Sequence, residues 1–365
     1  MGSTQKITSF KTRFGEIPLP VFFPDATRGV IKSLDTTDLE STKTLGILVN
    51  TYHLYKELGV KRIEKLGGIG EFMGWRGGII SDSGGFQVGS LIKADPEHGH
   101  VNDMGATFYP KGEEKIQITP EKSIRFQMSL GVDMVVVLDD FTDPKAKKSE
   151  AEDSVRRTLV WARRSKEEFQ RICKEKKLEK RPYILGVVQG GEFMDLRKYC
   201  TEELVKIGFD GLGWGGWPIV NGGLNFESAR IIAENTPNNY LLYGLGYGKP
   251  QDIVSLVRMG YGIFDCVLPT RDGRHGRLYI YNSDSIGEID VNKKDFYSII
   301  SPAKNKYQED NSPISAACDC LLCSKYSRAY LHHLFKIGDF TAGRLATIHN
   351  LRFYSILMSK LRGSY

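Results

Sequence analysis

Cys318, Cys320 and Cys323 are followed at a distance by His349. Three thiolates and an imidazole close a tetrahedral zinc shell with no position left for water, so such a site is structural and bond-making must lie elsewhere. Cys318 and Cys320 are too close to pair comfortably as a disulfide. Two other segments place carboxylates beside glycines. Residues 81–88 read SDSGGFQV, with Asp82 next to Gly84 and Gly85; residues 264–277 read FDCVLPTRDGRHGR, with Asp265 upstream of Gly273 and Gly276. Glycine lets a backbone approach a ligand closely, and two carboxylates on one rim suit nucleophilic or acid–base work, such as displacement at a sugar anomeric carbon. Aspartates at strand ends also cap helices or bind loop amides, so spacing alone leaves both readings open.

The elements that must position these groups come from the apolar pattern. Eight short apolar runs, at residues 21–23, 46–50, 78–81, 134–139, 183–189, 208–215, 240–246 and 263–268, end in polar or glycine-rich turns and read as buried strands. Between them, Val155, Leu159, Ala162, Phe169 and Cys173 fall on one helical face, as do Leu196, Cys200, Leu204 and Ile207. Alternating strand and helix makes a parallel sheet, and eight units close into a (β/α)8 TIM barrel; an open doubly wound sheet is the alternative. Asn50, His53, Asp82, Ser83, Asp139, Asp140, Gln189 and Asp265 all fall at C-terminal strand ends, the rim on which barrel enzymes build their active sites. The alternation stops near residue 290. Residues 1–289 are expected to form the barrel core and 290–365 an appended zinc-binding subdomain, with helices over 327–336 and 344–362.

The 365 residues, 41% hydrophobic and 26% charged, describe a soluble globular protein, and no apolar run is long enough to span a bilayer. Cys173, Cys200 and Cys266 lack disulfide-like spacing, and no signal peptide is read, so a cytoplasmic location is expected. A net charge of +6 permits a polyanionic partner without demanding one. Lys145, Lys147, Lys148 and residues 174–181 read as exposed helix ends.

DSGGFQ at 82–87, FDCVLPTR at 264–271, NTYHL at 50–54, and the zinc pattern followed by SRAYLHH together resemble the tRNA-guanine transglycosylases, over nearly the whole chain. The resemblance implies a zinc-bearing (β/α)8 barrel that exchanges the wobble guanine of tRNA for a 7-deazaguanine base on the route to queuosine. It implies one structural Zn2+ per chain, the tRNA anticodon loop as partner, and a homodimer, with Tyr326, Tyr330 and His333 near the subunit interface. Asp265 matches the family's nucleophile, which forms a covalent tRNA intermediate, and Asp82 the second essential aspartate, which handles protons. Asp139 and Gln189, with Ser83 beside them, match the polar edge that reads the base. The Gly215–Gly216 backbone, followed by Trp217, matches the base-contacting loop, and Phe86 the aromatic that sandwiches the base. Arg271 and Arg274 match the anticodon-loop contacts, where guanidinium groups suit phosphate or guanine edges. The target base must leave its stack to reach such a pocket.

Bacterial members usually carry Gly-Gly-Leu-Ala-Val-Gly-Glu where this chain has residues 215–221, GGWPIVN. Proline at 218 removes a backbone donor and fixes φ, and Asn221 replaces the glutamate that supports a backbone flip. Phe141 and an inserted Tyr247–Gly248 also depart from the pattern. These changes put the identity of the incoming base, 7-aminomethyl-7-deazaguanine or queuine, in question rather than the reaction. Two alternatives stay open: a non-catalytic accessory subunit, disfavoured by both aspartates, and a DNA-modifying paralogue, disfavoured by the complete zinc segment.

Overall fold

The structure, a computed structural model of the chain, describes residues 7–85, 92, 95–110, 114–216, 219–220 and 223–363. Eight strands form one parallel sheet: β1 (Val21–Pro24), β2 (Gly46–Val49), β3 (Gly78–Ser81), β4 (Met134–Val136), β5 (Tyr183–Val188), β6 (Gly211–Trp214), β7 (Leu241–Gly244) and β8 (Ile263–Cys266). Their order is β1-β8-β7-β6-β5-β4-β3-β2. Its two ends meet where Asp25 bridges Leu48 in parallel and the Ala26 amide donates to the Leu48 carbonyl at 2.7 Å. The sheet therefore closes as the expected (β/α)8 barrel.

Strand alternation sorts each strand's side chains into two layers. Val21, Phe23, Leu48, Ile80, Val136, Val187, Leu241, Tyr243 and Ile263 fill the interior, with Phe10 and Ile17 of an N-terminal hairpin packed against them. Their neighbours Phe22, Ile47, Ile79, Val135, Leu212, Leu242 and Phe264 pack outward under the helices. Continuing the inward parity past the last apolar residue gives Asp25, Asn50, Asp82, Gln189 and Asp265, so the pleat itself turns the top of the barrel polar.

The long helix α1 (Lys148–Glu175) buries Val155, Leu159, Ala162 and Phe169. In α2 (Met194–Ile207) the buried stripe is Arg197, Cys200, Thr201 and Leu204, rotated from the face expected, with Leu196 and Ile207 only partly covered. A short helix, α3 (Leu268–Arg274), follows β8 directly. The zinc segment contributes α4 (Leu321–Lys325) and α5 (Arg328–Ile337), capped by the Ser327 side chain at the Tyr330 amide. Helix α6 (Phe340–Gly363) returns to the barrel wall. There Tyr354 packs on Phe22 with ring centroids 4.5 Å apart, and Arg362 donates to the Pro20 carbonyl at 2.7 Å. Among the described residues no helix is long and apolar enough to cross a membrane.

Candidate active site at the barrel mouth

A cleft of about 630 Å³ opens at the C-terminal ends of the strands, lined among others by Asp25, Asn50, Asp82, Ser83, Asp139, Phe141, Tyr247, Asp265 and Arg271. Asp265 faces it because it follows inward-pointing Ile263 by two residues on β8. Its Oδ1 accepts the Tyr243 hydroxyl at 2.6 Å and the Gly246 amide at 2.8 Å. Among the described residues no hydrogen bond reaches Oδ2, so one oxygen is clamped and the other is offered to the cleft. Burial pushes the Asp265 carboxyl up to about 6; the Tyr243 and Gly246 donors resist that rise, while the charge of Asp25 adds to it.

Asp82 sits where β3 gives way to the glycine turn. Its Oδ2 accepts the Asn50 amide at 2.6 Å; its Oδ1 accepts the backbone amides of Thr51 at 3.0 Å and Gly84 at 3.2 Å. Gly84 has φ +82°, a conformation that suits glycine. Burial raises Asp82 to about 7, with Asp25 adding to the rise and the two amides and Asn50 opposing it. A carboxyl near neutrality can both give and take a proton at cellular pH.

Across the mouth, Gln189 donates Nε2 to Asp139 Oδ2 at 2.6 Å and accepts the Thr142 amide on Oε1 at 3.1 Å. The Ser83 hydroxyl points at Asp139 Oδ1 at 3.4 Å. Burial pushes Asp139 up to about 6 against those donors. A Cβ on Gly85 would lie 2.1 Å from Asp139 Oδ1, and one on Gly215 only 2.5 Å from Val187 Cγ1, so both positions require glycine. Gly216, with φ +86°, turns the chain out of β6. Phe86, Trp217, Pro218 and Asn221 lie outside the described residues.

Arg197, which the sequence reading passed over, holds this wall together. Fully buried, it donates Nη1 to the carbonyls of Val188 at 2.9 Å and Gly215 at 2.8 Å, and Nε to that of Gly191 at 3.0 Å. Its signal lay in its spacing, three and seven residues before Cys200 and Leu204 on one helical stripe. Tyr243 was missed as well, although its place two residues after Leu241 on β7 points it inward. Tyr247 stacks on Trp214 with centroids 4.4 Å apart, so the inserted turn is part of the cleft wall.

Arg271 and Arg274 lie on α3. Arg271 is exposed and lines the cleft; Arg274 is partly buried and lies outside the lining. Neither side chain is ion-paired among the described residues, and burial holds the Arg274 guanidinium below its ordinary range.

Cys318, Cys320, Cys323 and His349 converge with their ligand atoms within 4.8 Å of one another. His349 Nδ1 lies 3.5 Å from Cys320 Sγ and 3.2 Å from Cys323 Sγ. A tetrahedral zinc has sulfur–nitrogen edges of about 3.6 Å, so the donors fit the ion closely. The Nε2 of His349 lies 2.7 Å from the Tyr279 carbonyl, the outer partner that leaves Nδ1 free for metal. Zinc here would join α4 to α6. One residue on, Asn350 donates to the carbonyls of Pro269 and Arg277, at 2.9 Å each, and so ties α6 to the segment carrying the two arginines.

The sequence model of the family described as queuine tRNA-ribosyltransferase matches residues 2–364. The chain is 37% identical over 350 residues to a queuine tRNA-ribosyltransferase of Actinobacillus pleuropneumoniae serotype 5b (strain L20), covering 95% of this chain and 85% of that protein. It is 38% identical over 356 residues to one of Shewanella baltica (strain OS155 / ATCC BAA-1091), covering 96% and 87%. With its closed barrel, its carboxylate-lined mouth and its Cys3His cluster, the chain belongs to the queuine tRNA-ribosyltransferase family.

Proposed function

We propose that this tRNA-guanine transglycosylase works by two displacements at one ribose carbon, with Asp265 as nucleophile. The unclamped Oδ2 of Asp265 carries the reading. It attacks C1′ of the wobble guanosine, the C1′–N9 bond breaks, and guanine leaves with the electron pair and takes a proton. The incoming 7-deazaguanine base then attacks C1′, expels Asp265 and loses its own proton. Asp82 serves both transfers, which its carboxyl near 7 supports. Asp139, Gln189, Ser83 and the Gly215–Gly216 backbone present donors and acceptors to a purine-like edge, Phe86 is matched to the family's base-stacking aromatic and Trp217 to its base-contacting loop, and Arg271 and Arg274 meet the anticodon-loop phosphates. Residues 1–289 form the catalytic core. Zinc, held by Cys318, Cys320, Cys323 and His349, supplies a structural crosslink within residues 290–365. The enzyme acts in the cytoplasm as a homodimer. Queuine is the favoured incoming base over 7-aminomethyl-7-deazaguanine, because no carboxylate stands among residues 217–222 to hold an ammonium group.

The test is exchange of labelled guanine into tRNA, with duplex DNA as control, and capture of a denaturation-resistant protein–tRNA adduct. Asp265→Asn is expected to abolish both while keeping its Oδ1 partners and its fold. A wild-type adduct yield from the substituted protein would reassign the nucleophile, and exchange into duplex DNA alone would favour the DNA-modifying alternative.

A further inference from the structure

One carboxylate at the barrel mouth has no part in the chemistry above. Asp25 follows β1, and its inward parity with Val21 and Phe23 turns it into the cleft that holds Asp265 and Asp82. Its Oδ1 accepts the Thr27 amide at 2.8 Å and also the Thr27 hydroxyl. Among the described residues no hydrogen bond reaches Oδ2. Asp265 pairs in register with Phe23 on the adjacent strand. Asp25 is therefore two residues farther along and one strand across, about 8 Å between Cα atoms from ordinary strand spacing and rise. That gap suits a ribose ring lying between the two side chains.

We propose, resting on the base-exchange reading, that Asp25 accepts a hydrogen bond from the 2′-hydroxyl of the target nucleotide and so makes the enzyme depend on ribose over deoxyribose. With C1′ against Asp265 Oδ2, the base must extend toward Asp139, Gln189 and Gly215, which follow the C-terminal ends of β4, β5 and β6. The sheet order sets those strands across the barrel from β8 and β1, so the sugar lies on the β8–β1 side. Of the two strands flanking β8, β7 offers Tyr243, whose only proton is committed to Asp265. β1 offers the free acceptor of Asp25.

The charge on Asp25 also needs a reason. It pushes both Asp265 and Asp82 up, against ionisation of the nucleophile. A turn that needed only an acceptor for the Thr27 amide would be served by asparagine without that cost. A carboxylate contributes more when the anomeric carbon becomes oxocarbenium-like, because a hydrogen bond from the 2′-hydroxyl then strengthens. The 2′-hydroxyl is also the group that distinguishes RNA from DNA.

The experiment compares an RNA anticodon stem-loop carrying guanosine at the wobble position with the same stem-loop carrying 2′-deoxyguanosine there. Labelled-guanine exchange is followed with wild type and with Asp25→Asn, which keeps an oxygen for the Thr27 amide. At pH 8 Asp265 and Asp82 are largely ionised in both proteins, so their titration does not account for a difference. Wild type should favour the ribose substrate by roughly 10- to 100-fold, the worth of a hydrogen bond to a charged group. Asp25→Asn should shrink that ratio to within about threefold, through a lower kcat on the ribose substrate with little change in KM. An unchanged ratio in the variant would reduce Asp25 to a turn-forming residue and overturn the proposal. So would a wild type that treats the two substrates alike, a readout that needs no variant to fold. A wild type that exchanges guanine into neither substrate would instead sink the base-exchange reading, and this inference with it.

Discussion

The Tyr243 hydroxyl and Asp265 Oδ1 are 2.6 Å apart, and that hydrogen bond bears on the pH at which the nucleophile works. Asp265 attacks only as carboxylate, so kcat/KM should rise with pH through about 6, the value to which burial lifts it. The Tyr243 donor favours the ionised form and holds the value down. Tyr243→Phe removes that support, the carboxyl rises further, and the acid limb of the profile should move to higher pH by about one unit. Activity should therefore fall more at pH 6 than at pH 9. A limb that stays in place or moves to lower pH would show that the phenol does not tune the nucleophile. Much of this site was legible in the sequence, because Asp82, Gln189 and Asp265 each end an apolar strand and inherit its inward parity. Asp25 and Tyr243 obey the same alternation but lie outside the conspicuous glycine-rich motifs. Arg197 was hidden for another reason: its partners are three backbone carbonyls brought together only by the Gly190–Gly191 turn and the exit from β6.

Helices α3 and α6 meet backbone to backbone. A Cβ on Gly273 would lie 2.9 Å from Thr347 N and Cα, neither of which can rotate away. Gly273→Ala gains about 1 kcal/mol of helix propensity but meets an overpacking cost of about 1–3 kcal/mol. The net expectation is a lower melting temperature and a raised KM for tRNA, since the displaced helix carries Arg271 and Arg274. An unchanged melting temperature together with an unchanged KM would count against this. Zinc would anchor α6 through His349, and the neighbouring Asn350 bonds α6 to the α3 segment. Metal analysis should find one zinc per chain, and Cys320→Ser should lower thermal stability. A protein that stays fully active and cooperatively folded after exhaustive chelation would contradict the structural role. The eight strands could be read from their apolar runs because strands buried on both faces carry little else. The count of eight units also implied closure of the ring; what it did not show was the seam, where backbone beyond the apolar run of β1 meets β2 through the Asp25–Leu48 bridge and the Thr27 carbonyl accepts the Asn50 amide at 3.3 Å.

At the scale of the whole molecule, α6 seals the barrel wall through Tyr354 and Arg362, while its first residue and α5 leave large apolar side chains exposed. Phe340 is 95% exposed, Ile337 60% and Tyr330 41%, within eleven residues of chain. Tyr330 also stacks on Tyr326 with ring centroids 5.1 Å apart. Fully burying one phenylalanine contributes roughly 1.5–3 kcal/mol, so leaving such groups in water forgoes a substantial stabilisation that a second copy of the chain could recover. The proposed homodimer would use this face, beside the tyrosines and His333 matched to the family's interface. Sedimentation velocity at micromolar concentration should then find a dimer, and Phe340→Asp should shift it toward monomer with the zinc content unchanged. Wild type sedimenting as a monomer at that concentration would remove the argument, and a variant that remains as dimeric as wild type would move the interface elsewhere on the barrel.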